Sequence, residues 1–174
     1  MTTSDAPRSR MPRAGQPLPH FALPSTADKT VRLWDYKQRQ PVLLAFIHTS
    51  TCPACRAWLA RLARERARLD EARAAVLVIA PDALDELRAL QVALDLPFTL
   101  LADSDGMAAR AYVRGAEDSG AVALYAGDRY GLCVAGWHAP DADGLPPLDA
   151  PLADFALAEQ DDCACTIPAW DEEE

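Results

Sequence analysis

Residues 41–58 read PVLLAFIHTSTCPACRAW, and this stretch decides the fold. Val42 to Ile47 is a continuous apolar run of strand length, the pattern of a central parallel strand covered on both faces. After a polar interval from His48 to Thr51, a helical pattern starts at Pro53 and extends to Arg73. Trp58, Leu59, Leu62, Ala63 and Leu69 fall near one stripe at 3.6-residue spacing, while Arg56, Arg61, Arg64, Arg68 and Arg73 spread over the rest as a solvated face. The strand therefore hands over to a helix at Cys52-Pro53-Ala54-Cys55. A cysteine at a helix N-terminus faces unpaired backbone N–H groups and the positive end of the helix dipole, which favours its thiolate. Pro53 suits the first helical position, where no N–H is needed. Two cysteines at this spacing can also form half of a zinc site, but the placement between strand and helix favours disulfide chemistry. Cys52, on the N-cap side, is the expected nucleophile, and Cys55, one helical step inside, the expected resolving thiol.

Working outward, Gly15, Pro17, Pro19, Phe21 and Leu23 alternate with other residues as an extended lead-in, and Thr30 to Trp34 alternates as a short strand. Ala75 to Ala80 reads as a second buried strand. Asp82 opens a helix through Leu94, which Pro97 stops. Phe98 to Leu101 is a third strand, Met107 to Val113 a short helix, and Ala121 to Tyr125 a fourth strand. A turn at Gly127 to Gly131 joins that strand to Leu132–Trp137 as a hairpin. Strands alternating with helices and closed by a hairpin indicate an α/β fold, one mixed central sheet with helices on both faces. The expected organisation is a flexible leader at 1–14, one domain at 15–137, and a linker, short helix (Leu152 to Gln160) and acidic tail within 138–174.

The 174 residues suit a single domain with a real core. The formal charge of −9 is unevenly distributed. From Tyr130 onward there are eleven acids and no Lys or Arg, leaving fifteen acids against seventeen bases in residues 1–129. Such a field disfavours binding to nucleic acid or an anionic membrane surface. No apolar run approaches the roughly 20 residues of a membrane helix, and the arginines near the N-terminus have no signal-type apolar stretch behind them, so the expected location is the cytoplasm. Five cysteines, an odd number at low density, argue against a secreted disulfide framework.

Four stretches together resemble the peroxiredoxin-like branch of the thioredoxin fold, the alkyl hydroperoxide reductase and thiol-specific antioxidant group. They are Gly15 to Leu23; Val31, Leu33, Asp35 and Tyr36; Phe46 with Cys52 to Arg56; and Pro97 to Asp103 with Tyr112. The resemblance spans about residues 15–137 and implies a thioredoxin-like sheet, a redox-active thiol and no organic cofactor or metal. Thr49 stands three before Cys52, where the group's peroxidatic motif carries Thr. The motif's Pro is replaced by Ala45, and the arginine that would steady a thiolate and polarise peroxide falls near Ala121; Arg56 and Arg114 are the candidate substitutes. On the thioredoxin side, the cis-proline opposite the motif falls at Gly120 or Ala121, and the buried acid at Ala45 or Phe46. His48 is a candidate base, four residues before Cys52; its plainer reading is a half-exposed residue at a strand end.

Cys163 and Cys165, followed by Pro168 and Trp170, resemble the second cysteine pair that some members carry near the C-terminus, with one cysteine displaced. Acidic neighbours disfavour their thiolates. They read as a redox tail that exchanges with Cys52 or Cys55, as zinc ligands joining those two, or as incidental thiols. Cys133, flanked by Leu132 and Val134, is expected buried and inert, and Trp58 and Trp137 line core or groove. The resulting expectation is a thiol–disulfide oxidoreductase acting on protein disulfides and regenerated by an external thiol. The alternatives are a thiol peroxidase reducing small hydroperoxides, and a non-catalytic binding module whose tail holds zinc or a partner.

Overall fold

The structure, a computed structural model, describes residues 11–113 and 121–163, with the backbone alone for 160–163. In chain order it builds β1 (Ala22–Pro24), β2 (Thr30–Arg32), β3 (Val42–Phe46), α1 (Pro53–Arg64), α2 (Arg66–Glu71), β4 (Ala75–Ala80), α3 (Leu84–Ala93), β5 (Thr99–Ala102), α4 (Met107–Tyr112), β6 (Val122–Gly127), β7 (Cys133–Ala139) and α5 (Asp149–Cys163).

The unbroken apolar runs fall where two covered faces require them. The five-stranded sheet has the order β5-β4-β3-β6-β7, with β3 at its centre. β3 pairs parallel with β4 and antiparallel with β6, so the sheet is mixed. Successive side chains of a strand point to opposite faces. Leu43, Ala45 and Ile47 accordingly join a cluster with Cys55, Trp58, Leu59 and Leu62 of α1, Leu69 of α2, Leu87 and Leu90 of α3, and Phe155 of α5. Val42, Leu44 and Phe46 join a second cluster with Phe21 and Leu23 of the lead-in and Ala108 and Tyr112 of α4. Helices thus cover both faces, as the alternation of elements implies.

The lead-in and the small β1–β2 sheet close the other face. Gly15 donates its N–H to the carbonyl of Cys133, and Cys133 donates back to Gln16, which seats the lead-in against the start of β7. Ser25 bridges to Leu101, so the same segment also touches the β5 edge. The second strand stops at Arg32, and Leu33–Tyr36 forms a 3-10 turn. The hairpin turn between β6 and β7 is held by Asp128 Oδ1, which accepts from the N–H groups of Tyr130 and Leu132 at 2.8 Å.

The helical stretch from Pro53 to Arg73 and the last helix differ from the sequence reading. The pattern from Pro53 to Arg73 is two helices, broken at Glu65, whose backbone (φ −89°, ψ 11°) leaves the helical region. α2 ends with Arg73 in the left-handed region at φ 52°. The N–H groups of Arg73 and Ala74 return to the carbonyls of Asp70 and Leu69, a bonding pattern that ends helices and turns this one into β4. The last helix begins at Asp149, three residues before the expected Leu152, because Pro151 lies in the first turn, where no N–H is required. The segment after β7, expected as a linker, contributes Ala142, Leu145 and Leu148 to the core. It also sets Asp143 3.6 Å from Arg61 and Asp149 2.5 Å from Arg68, joining the acidic segment to the arginine-bearing helices through exposed ion pairs. Among the described residues no helix is long and apolar enough to cross a membrane.

Candidate active site

β3 ends at Phe46, and the six residues that follow carry the chain to the N-terminus of α1. Cys52 is the N-cap of α1, with extended backbone (φ −64°, ψ 118°), and Pro53 follows in the first turn. The Cys52 carbonyl already accepts the Arg56 N–H at 3.0 Å, while the Cys52 N–H reaches back to Thr49 O at 3.3 Å. This local geometry leaves Cys52 half-buried, whereas Cys55, one turn further, is fully buried against the sheet.

Three donor atoms converge at the junction. Cys52 Sγ lies 3.7 Å from His48 Nδ1, and the ligand atoms of His48, Cys52 and Cys55 all fall within 4.8 Å of one another. No bond joins the two sulfurs. Burial acts to raise the Cys52 pKa, but the Cys55 backbone N–H, His48 and the Cys55 thiol outweigh it, and the thiol titrates below its ordinary value. Cys55 moves the opposite way: burial pushes it up to about 12, and the neighbouring Cys52 adds to the effect against the backbone amides of His48 and Thr49. Two chemically identical side chains, three residues apart, are thereby driven in opposite directions, Cys55 by its depth and Cys52 by the Cys55 N–H and His48. The outer thiol is the more readily ionised of the two, and the inner one holds its proton more tightly.

The loop holding this arrangement is tied to a distant part of the chain. Asp82, at the end of β4, accepts from both the N–H and the hydroxyl of Ser50, at 3.0 Å and 2.6 Å. Ser50 is buried, so these bonds anchor the loop from inside. Asp82 was expected to open the next helix. Its carboxylate is turned to Ser50 instead, and the helix begins at Leu84, with Glu86 Oε2 accepting the Ala83 N–H at 3.0 Å.

Of the other candidate residues, Arg56 directs its guanidinium to the Ser50 carbonyl at 3.0 Å, which makes it a second brace on the loop. Thr49 Oγ1 lies 3.1 Å from Thr51 Oγ1. Arg114 and Cys165 lie outside the described residues, as does the side chain of Cys163. Ala121, where a cation or a cis-proline was sought, immediately precedes β6, and among the described residues no peptide bond is cis. Cys133 is buried, and its pKa is pushed up to about 11, by burial first and then by Asp128. Trp58 is a core residue, and Trp137 packs against the same cluster partly buried.

Sequence reading missed the pairing of Asp82 with Ser50, because the bonds joining them span 32 residues. It also missed a cavity of about 580 Å³ at the C-terminal ends of β3, β4 and β5, lined by Ile47, His48, Thr49, Ile79 and Val113 among others. Its walls are mostly apolar, and it adjoins the loop through His48 and Thr49. Buried Asp103 at its edge accepts from the Ala108 and Ala109 N–H groups and starts α4; burial raises its pKa against those two bonds. An acid before a helical run is a readable capping signal.

The model of the AhpC/TSA family matches residues 14–126. No curated protein matches the chain. Among solved structures, the peroxidoxin BcpB of Mycobacterium tuberculosis superposes with a TM-score of 0.73 at 20% identity, over 85% of this chain and 98% of its own. A reduced 2-Cys peroxiredoxin of Plasmodium vivax gives 0.73 at 19% identity, over 86% and 98%. A PrxQ mutant of Xylella fastidiosa gives 0.70 at 17% identity, over 88% and 99%. At these identities the likeness carries the thioredoxin-type fold.

Proposed function

The chain belongs to the AhpC/TSA family, and from that premise we propose that it is a thiol–disulfide oxidoreductase working through Cys52 and Cys55. One observation carries the reading: at the N-terminus of α1 an accessible thiol of lowered pKa faces a buried thiol of raised pKa, within reach of one imidazole. In the proposed cycle the Cys52 thiolate attacks a substrate disulfide, forming a mixed disulfide and expelling one substrate thiolate, which takes a proton. Covalent capture removes the negative charge of Cys52, one of the causes that hold the Cys55 pKa high. Cys55 then loses its proton, with His48 as candidate acceptor, and attacks Cys52 Sγ. The second substrate thiolate leaves, and a Cys52–Cys55 disulfide forms. Two electrons have passed to the substrate, and an external dithiol restores the pair.

Peroxide reduction is the second reading, and family membership together with the apolar cavity beside His48 and Thr49 favours it. There the Cys52 thiolate would take one peroxide oxygen to become a sulfenic acid, releasing an alcohol or water, and Cys55 would resolve it with loss of water. The orientation of Arg56 toward Ser50 weighs toward disulfide exchange, because that cation is engaged with the loop backbone. The deciding experiment measures turnover of insulin disulfide and of hydrogen and organic hydroperoxides in parallel for wild type, Cys52→Ser and Cys55→Ser. Cys52→Ser should abolish activity, and Cys55→Ser should accumulate a mixed disulfide on Cys52. Full activity in Cys52→Ser would refute both readings; robust peroxidase turnover without insulin reduction would select the second. The roles of Cys163 and Cys165 as a redox tail belong to the same proposal. A disulfide map of the oxidised chain that shows only Cys52–Cys55 argues against them.

A further inference from the structure

We propose that the reduced site holds one thiophilic d10 metal cation, with Zn2+ as the probe, through His48 Nδ1, Cys52 Sγ and Cys55 Sγ. This goes beyond thiol exchange and does not depend on it. The three ligand atoms lie within 4.8 Å of one another, with Cys52 Sγ and His48 Nδ1 at 3.7 Å. In a tetrahedral zinc site with Zn–S of about 2.3 Å and Zn–N of about 2.0 Å, neighbouring ligand atoms stand roughly 3.5–3.8 Å apart. The Cys52–His48 pair thus already stands at coordination spacing, and Cys55 Sγ needs to close in by at most about 1 Å. Two sulfurs and an imidazole select a soft or borderline cation over Mg2+ or Ca2+.

The scaffold is built to hold that spacing. Cys52 and Cys55 are set by the first turn of α1, and the loop following His48 is fastened by Ser50 to Asp82 and Arg56. Cys55 closes the inner side, while His48 and Cys52 are only half-buried. The cation would keep one coordination position toward solvent, as open three-ligand sites do. Binding releases the thiol protons to water and changes no oxidation state. Disulfide formation removes both sulfurs from coordination, so the metal and the Cys52–Cys55 disulfide exclude each other.

The test titrates Zn2+ into the reduced full-length chain without oxygen, in competition with a chromophoric chelator. One equivalent is expected to bind, with none in the oxidised wild type, which keeps every side chain and controls for misfolded variants. Cys52→Ser and Cys55→Ser should lose the ion. His48→Ala should weaken binding by about tenfold or more, since even outer-shell changes cost that much. The Cys163→Ser/Cys165→Ser double variant should bind as wild type, and X-ray absorption should report two sulfurs and one imidazole. Binding no better than the chelator, undiminished binding by the oxidised protein or by His48→Ala, or loss in the tail double variant would each overturn the site. A zinc-binding chain that turns over neither insulin nor peroxide would sustain the metal site and refute the proposed function. Turnover with no zinc binding would do the reverse.

Discussion

Replacing Asp82 with alanine should loosen the active-site loop without touching either cysteine. The carboxylate accepts the Ser50 hydroxyl at 2.6 Å and the Ser50 N–H at 3.0 Å. Hydrogen bonds to charged groups contribute about 1.5–3 kcal/mol each. Asp82 itself is only half-buried, so water replaces part of what is lost and the lower end applies, giving about 3 kcal/mol for the two bonds. Ser50→Ala removes only the hydroxyl bond and should cost about 1.5 kcal/mol. The double variant should then cost about 3 kcal/mol, not the roughly 4.5 kcal/mol of independent effects, leaving a coupling of about 1.5 kcal/mol. For a chain of this size the Asp82→Ala loss corresponds to a Tm drop of about 6–12 °C. Urea unfolding of the reduced protein, followed by tryptophan fluorescence with Trp58 as a core reporter, measures all three variants. The rate of Cys52 alkylation by iodoacetamide should fall in the same order, since the loop positions His48 against the sulfur. Additive losses, or an Asp82→Ala cost no greater than that of Ser50→Ala, would refute the account of the loop as a Ser50–Asp82 clamp.

The pH profile of Cys52 alkylation should have its midpoint below that of an ordinary thiol, and His48→Ala should move it upward; an unmoved midpoint would remove His48 from the site's electrostatics. Cys55 carries the opposite linkage. Its folded pKa is raised from 9.0 to about 12, so the stability it contributes is fully present below pH 9 and is lost as pH rises through about 12. Reduced wild type should therefore lose stability more steeply than Cys55→Ala over that alkaline window, as measured by denaturant titrations at stepped pH. Leu59, fully buried between α1 and the sheet, should cost about 2–5 kcal/mol on change to alanine. Arg68→Ala, which breaks exposed pairs with Glu65 and Asp149, should barely move the unfolding midpoint, and less still at high salt. Equal unfolding midpoints for these two variants would overturn the assignment of the core.

The core strands were legible because a strand buried on both faces must be apolar at every position, and Val42 to Phe46 and Val76 to Ala80 satisfy this without help from distant residues. The junction was legible for a similar reason: Pro53 and the cysteines beside it are read against the geometry of a helix N-terminus, which is local. The break at Glu65 was not, since a helical stripe that resumes after one non-helical residue keeps nearly the same periodicity. The helix limits at Leu84 and Asp149 depended on partners elsewhere. Asp82 is drawn to Ser50, and the segment beyond β7 is drawn down by Ala142, Leu145, Leu148 and Phe155 packing on the sheet.

Residue pattern alone thus established a mixed α/β sheet, its central strand, and a dithiol at the head of a helix, because each depends on periodicity and on neighbours within one helical turn. Packing decided what those thiols are. Burial separates Cys55 from Cys52, the approach of His48 brings a third ligand atom to the pair, and a bond across 32 residues holds the loop between them. Depth and through-space proximity are properties of the assembled sheet and helices, and no stretch of sequence encodes them by itself.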